Sequence, residues 1–233
     1  MAYSFDFGLV VSGEYGEWLR QGLLTTLHIS AISIVGSLLL GTLVAVLRLS
    51  RITPLVWGSA AFTEFFRNTP LLVQIFFWFF GSYSVLPDFV NQWLYQRDFE
   101  FAAGVIALTV YTAAFIAEDI RSGVFAIPKT QLEASRATGL SFLQAMRYVI
   151  LPQAFRIIIP PLISQFLNLV KNSSLVMAVG VMELTYMARQ IEAYTFHGLE
   201  AFTVSTLMYL SISLVISFAV NMYNKRVLKI APR

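Results

Sequence analysis

The chain has 233 residues, of which 57% are hydrophobic and only 12% charged, with mean hydropathy +0.70 and formal net charge +3. Soluble domains carry about twice that share of charge, so a water-soluble globular class is excluded. The lack of cysteine removes disulfides, thiolate metal sites and cysteine nucleophiles together, and the scatter of basic residues into short segments between apolar runs excludes nucleic acid as a partner.

Residues 1–17 are aromatic and acidic, without the basic start of a cleavable leader, so insertion is expected to rely on the first retained span. Crossing a bilayer takes about 20 mostly apolar residues. The first such run, 22–47, lies free of charge between Arg20 and Arg48. Pro54 opens the second, 55–83, which holds Glu64, Arg67 and the aromatic run from Phe76 to Phe80. A turn-like segment with Pro87, Asp88, Arg97 and Asp98 leads to the third, 101–120. Glu118, Asp119 and Arg121 end it and are expected to anchor the membrane boundary. After a polar stretch, 121–147, comes the fourth run, 155–179, expected to break at Pro160-Pro161 and carrying Lys171. It either crosses whole, or crosses only over 155–170 and continues as a bent or re-entrant segment over 171–183. Irregular backbone at that depth is tolerated only where it lines a cavity or packs on protein. The fifth run, 201–224, is uncharged.

Loop cations orient the chain. Arg48, Arg51, Arg121, Lys129, Arg136, Arg147, Lys225, Arg226, Lys229 and Arg233 fall on one side, against Arg20, Arg97 and Arg189 on the other. That bias puts the N-terminus outside and the C-terminus, with 121–147, in the cytoplasm. The expected fold is an all-α integral membrane bundle of five helices, a single transmembrane domain over 1–233. Trp57, Trp78 and Trp93 are expected to be mostly lipid-facing or interfacial. His28 reads as a packed helix residue, and with only His197 beside it no metal site is expected.

The ionisable and polar residues inside the spans have two readings each. Glu64 and Arg67 share a helical face and would form an ion pair; alternatively Arg67, Asn68 and Thr69 face a translocation path. Pro70 lacks the N–H that would serve the Phe66 carbonyl, and helix breaks of this kind mark substrate sites. Lys171, Asn172, Ser173 and Ser174 either bond between helices or receive the carboxylate of a zwitterion, with Glu64 or Glu183 receiving its ammonium. Between spans three and four, Pro128 fits a helix start and Gly139 a helix stop, giving a short surface helix over about 128–145. It is either a connector or a docking element.

The spacing of Glu133-Ala134, Gly139 and Leu151-Pro152 resembles the "EAA" loop of bacterial ABC-importer permeases. Ser135 stands for the third small residue of that pattern and Val149 for its usual isoleucine. Two further segments, Phe66-Arg-Asn-Thr-Pro-Leu-Leu-Val-Gln74 and Leu169-Val-Lys-Asn-Ser-Ser-Leu175, are similar to signatures of permeases for polar amino acids, in the style of the glutamate/aspartate branch. Together these matches cover most of 20–225.

The resemblance implies a multi-pass permease of the bacterial inner membrane, forming the path of an ATP-driven importer for polar amino acids. Its implied partners are a homodimer of ABC ATPases, a second permease (itself or a sister chain) and an extracytoplasmic amino-acid-binding protein. Pro128, Glu133, Ala134, Ser135 and Gly139 would dock on the ATPase. The chain lacks a Gly-x-x-x-x-Gly-Lys phosphate loop, so ATP and Mg belong to the partner and this chain is expected to hold no cofactor and to be no enzyme. The rival reading is a self-contained oligomeric secondary transporter or channel, which has no need of the 128–152 segment. An intramembrane enzyme is disfavoured because Ser174 has no histidine within its span.

Overall fold

A computed structural model of the chain describes residues 5–50, 52–85, 87–95 and 98–223. In chain order the helices are α1 (Phe7–Val11), α2 (Gly13–Leu49), α3 (Thr53–Arg67), α4 (Leu71–Val85), α5 (Asp88–Tyr95) and α6 (Phe99–Phe125). Then follow α7 (Lys129–Ala137), α8 (Phe142–Ala145), α9 (Leu151–Asn172), α10 (Leu184–Thr195) and α11 (Gly198–Tyr223). A π-helical turn (Met146–Ile150) joins α8 to α9, and a 3-10 segment (Ser173–Val179) extends α9. All the elements among the described residues are helices, as the long apolar runs lead one to expect. Arg51, Arg97, Lys225, Arg226, Lys229 and Arg233, part of the charge bias, lie outside the described residues.

Lipid tails offer helices no hydrophobic reward for association, so close packing of small residues must hold them together. α2 carries such a stripe along its buried side: Gly22, Thr26, Ser30, Ser33, Ser37, Gly41 and Ala45. It lies against α6, whose buried face includes Ala103, Gly104, Ala107, Ala113 and Ala117. A Cβ added to Gly41 would stand 2.7 Å from Ile116 Cγ2 and 2.9 Å from the Ala113 carbonyl oxygen. One added to Gly36 would stand 3.0 Å from Thr109 Cγ2. With Ile29 beside Gly104, Gly36 beside Thr109 and Gly41 beside Ile116, the two helices run parallel.

The other elements are laid on this pair. α9 runs antiparallel to α6: Ile158 packs on Gly123, Gln165 reaches Asp119 and Val176 lies on Gly104. The expected second span is divided into α3 and α4, of 15 residues each, parted at 68–70. Phe62 of α3 packs with Val44, Ala45 and Ala117, and Arg48 donates to Thr63 Oγ1 at 3.1 Å. Ile75 of α4 packs with Ile29, Leu108 and Val176, and the Phe79 ring lies 5.6 Å from that of Phe99. The pair α3–α4 therefore runs the length of α6 in the opposite sense.

Four stretches among the described residues are long and apolar enough to cross a membrane: Gly13–Leu49, Phe99–Phe125, Phe142–Val179 and Gly198–Val220. The stretch Phe142–Val179, which contains the expected fourth run, differs from its expectation. Pro160 and Pro161 sit inside an unbroken α9, and the change of helix type comes at Ser173 instead. Trp78 is also placed differently, because it is partly buried against the Ile75 cluster rather than turned to lipid. Trp57, by contrast, is 73% exposed.

The central packing yields one expected outcome. Gly41→Leu drives four extra carbons into the Ile116 contact and should cost about 1–3 kcal/mol, seen as a lower melting temperature of the purified protein. Gly58→Leu, where an added Cβ meets nothing within 4 Å, is the control and should melt as the parent does. Equal melting of Gly41→Leu and the control would show that α2 and α6 are not closely packed.

Candidate functional site

The break between α3 and α4 follows from one missing donor. Pro70 has no N–H for the Phe66 carbonyl, and an unpaired carbonyl at membrane depth is costly. Gln74, one turn on, replaces the lost bond: its Nε2 donates to the Phe66 carbonyl at 2.9 Å and to Thr69 Oγ1 at 2.7 Å. Thr69 Oγ1 itself donates to the Phe65 carbonyl at 3.0 Å. Asn68 Nδ2 donates to the Glu64 carbonyl at 2.7 Å and to its carboxylate at 3.1 Å. Glu64 is thus engaged by Asn68, and no ion pair among the described residues joins it to Arg67. Arg67 turns the other way, its guanidinium carbon 5.3 Å from the centre of the Phe115 ring.

Phe115 is also a wall of a polar cavity of about 230 Å³ between α6 and α9. Tyr111 and Thr112 line it from α6, and Gln165, Asn168 and Asn172 from α9. Gln165 Nε2 donates to the half-buried Asp119 carboxylate at 2.9 Å, which fixes the amide at the cavity edge. The helix break reaches this cavity through Arg67 and Phe115, and the lining is a set of neutral amides and hydroxyls with the Asp119 carboxylate at its edge. Such a lining offers donors and acceptors to a small polar solute without a metal or a nucleophile.

Of the other residues singled out in the sequence, Lys171 is exposed and lies outside the cavity lining. Ser173 and Ser174 donate to carbonyls of their own turn, Val170 at 2.8 Å and Lys171 at 2.7 Å, so neither bonds between helices. Glu183, read from sequence as a partner for a substrate ammonium, is fully buried away from this cavity. It caps α10 by accepting from the Tyr186 N–H at 2.8 Å, and it also receives the Tyr209 hydroxyl and, at 3.5 Å, that of Thr26. The Leu184 N–H donates in turn to Thr26 Oγ1 at 3.1 Å. Glu183 is a tie between α2, α10 and α11.

The surface helix is shorter than the expected 128–145. Pro128, with φ −57° and ψ 137°, precedes α7 rather than occupying its first turn. Gly139, at φ +91°, stops the helix: its N–H bonds the Arg136 carbonyl at 3.0 Å, and the Leu140 N–H bonds that of Ser135 at 3.3 Å. This is a Schellman stop, which needs a left-handed residue and hence glycine. Ser141 and Gln144 then cap α8 reciprocally, so α7 and α8 are separate helices. Glu133, Ala134 and Ala137 are exposed on α7. Ser135 is only 7% exposed and donates to the Leu132 carbonyl at 2.8 Å, so it faces its own chain rather than a partner. Beyond α8 the π-helical turn runs without interruption into α9, the helix that lines the cavity.

Tyr111, Phe115, Asp119, Gln165 and Asn168 were not singled out by sequence as path residues. The spacing of Gln165, Asn168 and Asn172 was a usable signal, since i, i+3 and i+7 share one helical face.

The family profile described as "binding-protein-dependent transport system inner membrane component" matches residues 23–229. The probable glutamine ABC transporter permease protein GlnM of Bacillus subtilis (strain 168) is 43% identical over 209 residues, which cover 90% of this chain and 93% of that protein. The glutamate/aspartate import permease protein GltJ of Escherichia coli (strain K12) is 31% identical over 218 residues, with 91% and 88% covered. A chain from the crystal structure of an amino acid ABC transporter with histidines superposes at TM-score 0.85 and 30% identity, over 97% of this chain and 100% of that one. A chain of the inward-facing MetNI methionine ABC transporter shares the fold at TM-score 0.72 and 24% identity, over 92% and 98%.

The role of Gln74 at the break is testable. Gln74→Ala leaves the Phe66 carbonyl without its side-chain donor and should cost about 1–3 kcal/mol, read as a lower melting temperature. Adding Pro70→Ala restores a backbone N–H and should recover most of the loss. A double variant no more stable than Gln74→Ala would show that the amide is not serving the broken turn.

Proposed function

Because this chain belongs to the family of binding-protein-dependent transport system inner membrane components and is a multi-pass permease subunit of an ABC importer, we propose that it imports polar amino acids through the α6–α9 cavity and is driven through α7 by a separate ATPase. The observation that carries this reading is continuity: the exposed helix α7 joins, through α8 and the π-helical turn, the helix whose side chains line the cavity. Movement of α7 would be passed to Gln165, Asn168 and Asn172.

In this reading α3 and α4 form one interrupted span. The chain then crosses the membrane five times, with the N-terminus outside and α7 in the cytoplasm, as one transmembrane domain over 1–233. Glu133, Ala134 and Ala137, on the exposed side of α7, would face a homodimer of ATPases that holds the ATP and Mg. A second permease, identical or sister, would complete the path, and an extracytoplasmic binding protein would deliver the solute. The substrate class follows the lining and the relatives. Neutral amides and hydroxyls, with the Arg67 guanidinium and the Asp119 carboxylate nearby, suit glutamine, the solute in the name of the 43% identical relative, as well as glutamate and aspartate, those of the other. Family membership favours this importer over a self-contained carrier or channel.

Affinity purification of the tagged chain from native membranes tests the coupling. A nucleotide-binding subunit should co-purify, and Glu133→Arg should lose it while the permease still inserts. A chain that purifies without any ATPase yet moves amino acids in vesicles would overturn the proposal. Uptake by vesicles of the reconstituted complex, with labelled glutamine, glutamate and aspartate in turn, separates the substrates.

A further inference from the structure

The end of the bundle that carries the N-termini of α2 and α11 bears an unusual residue. Phe196, between α10 and α11, adopts φ +59°, a left-handed backbone that favours glycine, yet its side chain is 82% exposed. Its N–H closes α10 on the Glu192 carbonyl at 2.8 Å, a position where glycine is the usual choice. A bulky aromatic in a strained, solvent-facing turn gains nothing from the turn itself, so what it meets outside the protein must account for it.

Phe196 is not alone. Tyr194 is 67% and Leu199 57% exposed on either side of it. The strap ahead of the first span adds Phe5, Phe7 and Val11, at 64%, 42% and 56%. The strap is fixed beside the turn: the Asp6 N–H donates to the buried Glu200 carboxylate at 3.0 Å, and Val10 packs with Leu184, Ile191 and Ala201. Trp18 bridges the two, its ring 5.6 Å from that of Tyr194.

The occupant follows from continuity. Directly along the chain from this patch, the outward faces of α2 and α11 carry Leu24 at 52%, Leu27 at 40%, Phe202 at 41% and Leu207 at 55% exposure, and these belong to spans whose environment is lipid. On α11 the apolar surface runs from Leu207 and Phe202 through Leu199 onto the turn, while on α2 the exposed Glu17–Arg20 pair and Gln21 stand between Leu24 and the strap. Asp6, Glu14, Glu17 and Glu192 among the same segments would resist deeper immersion.

We propose that α1 and the α10–α11 turn form one platform seated at the headgroup–acyl boundary of the bilayer, with Phe196 and Phe7 as its inserted side chains. Seated there, the platform sets the depth of α2 and α11 and holds the capped start of α10 level. This rests on the membrane placement of the chain and not on its substrate or ATPase.

The chain has no cysteine, so it contributes no background label of its own. Phe196→Cys and Phe7→Cys would be spin-labelled in the intact complex in nanodiscs of phosphatidylethanolamine and phosphatidylglycerol. Asp88→Cys serves as a water reference and Val215→Cys, on the outward face of α11, as a lipid reference. Both platform labels should collide with oxygen more often than with a water-soluble nickel chelate, at depths shallower than Val215. Labels that read like Asp88 would place the patch in water, and labels shielded from both agents would place it under another protein. Either result overturns the proposal. ATPase co-purification from the same membranes reports separately on the importer reading.

Discussion

The close approach of α2 and α6 is the constraint on which the remaining packing rests. Where tails are as apolar as leucine, only dispersion between well-fitted surfaces and a few internal hydrogen bonds favour one arrangement over another. Gly36 and Gly41 allow the contact, and Thr109 and Ile116 fill the space they leave. Each of the other elements that position the cavity uses the opposite or adjoining side of this pair. α9 approaches α6 at Gly123 and Gly104, and the start of α10 rests on Gly22, where an added Cβ would stand 2.9 Å from Leu184 Cα.

A frame of that kind tolerates irregular backbone only where donors and acceptors are replaced within the protein. Among the described residues, three places of irregular backbone illustrate this, each answered by local side chains or a turn. At Pro70 the amide of Gln74 takes over from the missing N–H. At Ser173–Val179 the helix tightens and ends at Gly180, φ +94°. At the start of α10 the buried Glu183 accepts the Tyr186 N–H and is held by Tyr209 and Thr26. The first of these adjoins the cavity through Arg67 and Phe115, and the second continues the helix that lines it. Two of these three irregular places therefore adjoin the cavity, and the third ties α2, α10 and α11 together.

Much of this was legible in the sequence for a plain reason: long apolar runs admit few alternatives to helices, and a proline at 70 or a glycine at 139 has a local effect that needs no partner. The helix stop at Gly139 and the opened turn at Phe66 are of that sort. What was not legible depended on contacts between segments far apart in the chain. Glu183 could be read only as a candidate acceptor for a substrate ammonium, since Thr26 and Tyr209, which bond it, lie 157 and 26 residues away. Asp119 could be placed at the end of span three, but not its bond to Gln165, 46 residues away. Pro160 and Pro161 signalled a break that did not occur, because α9 runs through them as one helix packed on α6. Ser135 had the size of a docking residue, but its turn faces inward.

If movement of α7 is passed to the cavity wall as proposed, α7 and α9 move as one body relative to α2 and α6. Spin labels placed at Thr130 and Ser164, both exposed on a cysteine-free background, measure the first distance, and labels at Ser164 and Leu39 the second. In the reconstituted complex, binding of nucleotide should leave the Thr130–Ser164 distance unchanged and shift the Ser164–Leu39 distance. A shift confined to Thr130–Ser164 would mean that α7 moves on its own, and would contradict the coupling of the surface helix to the cavity.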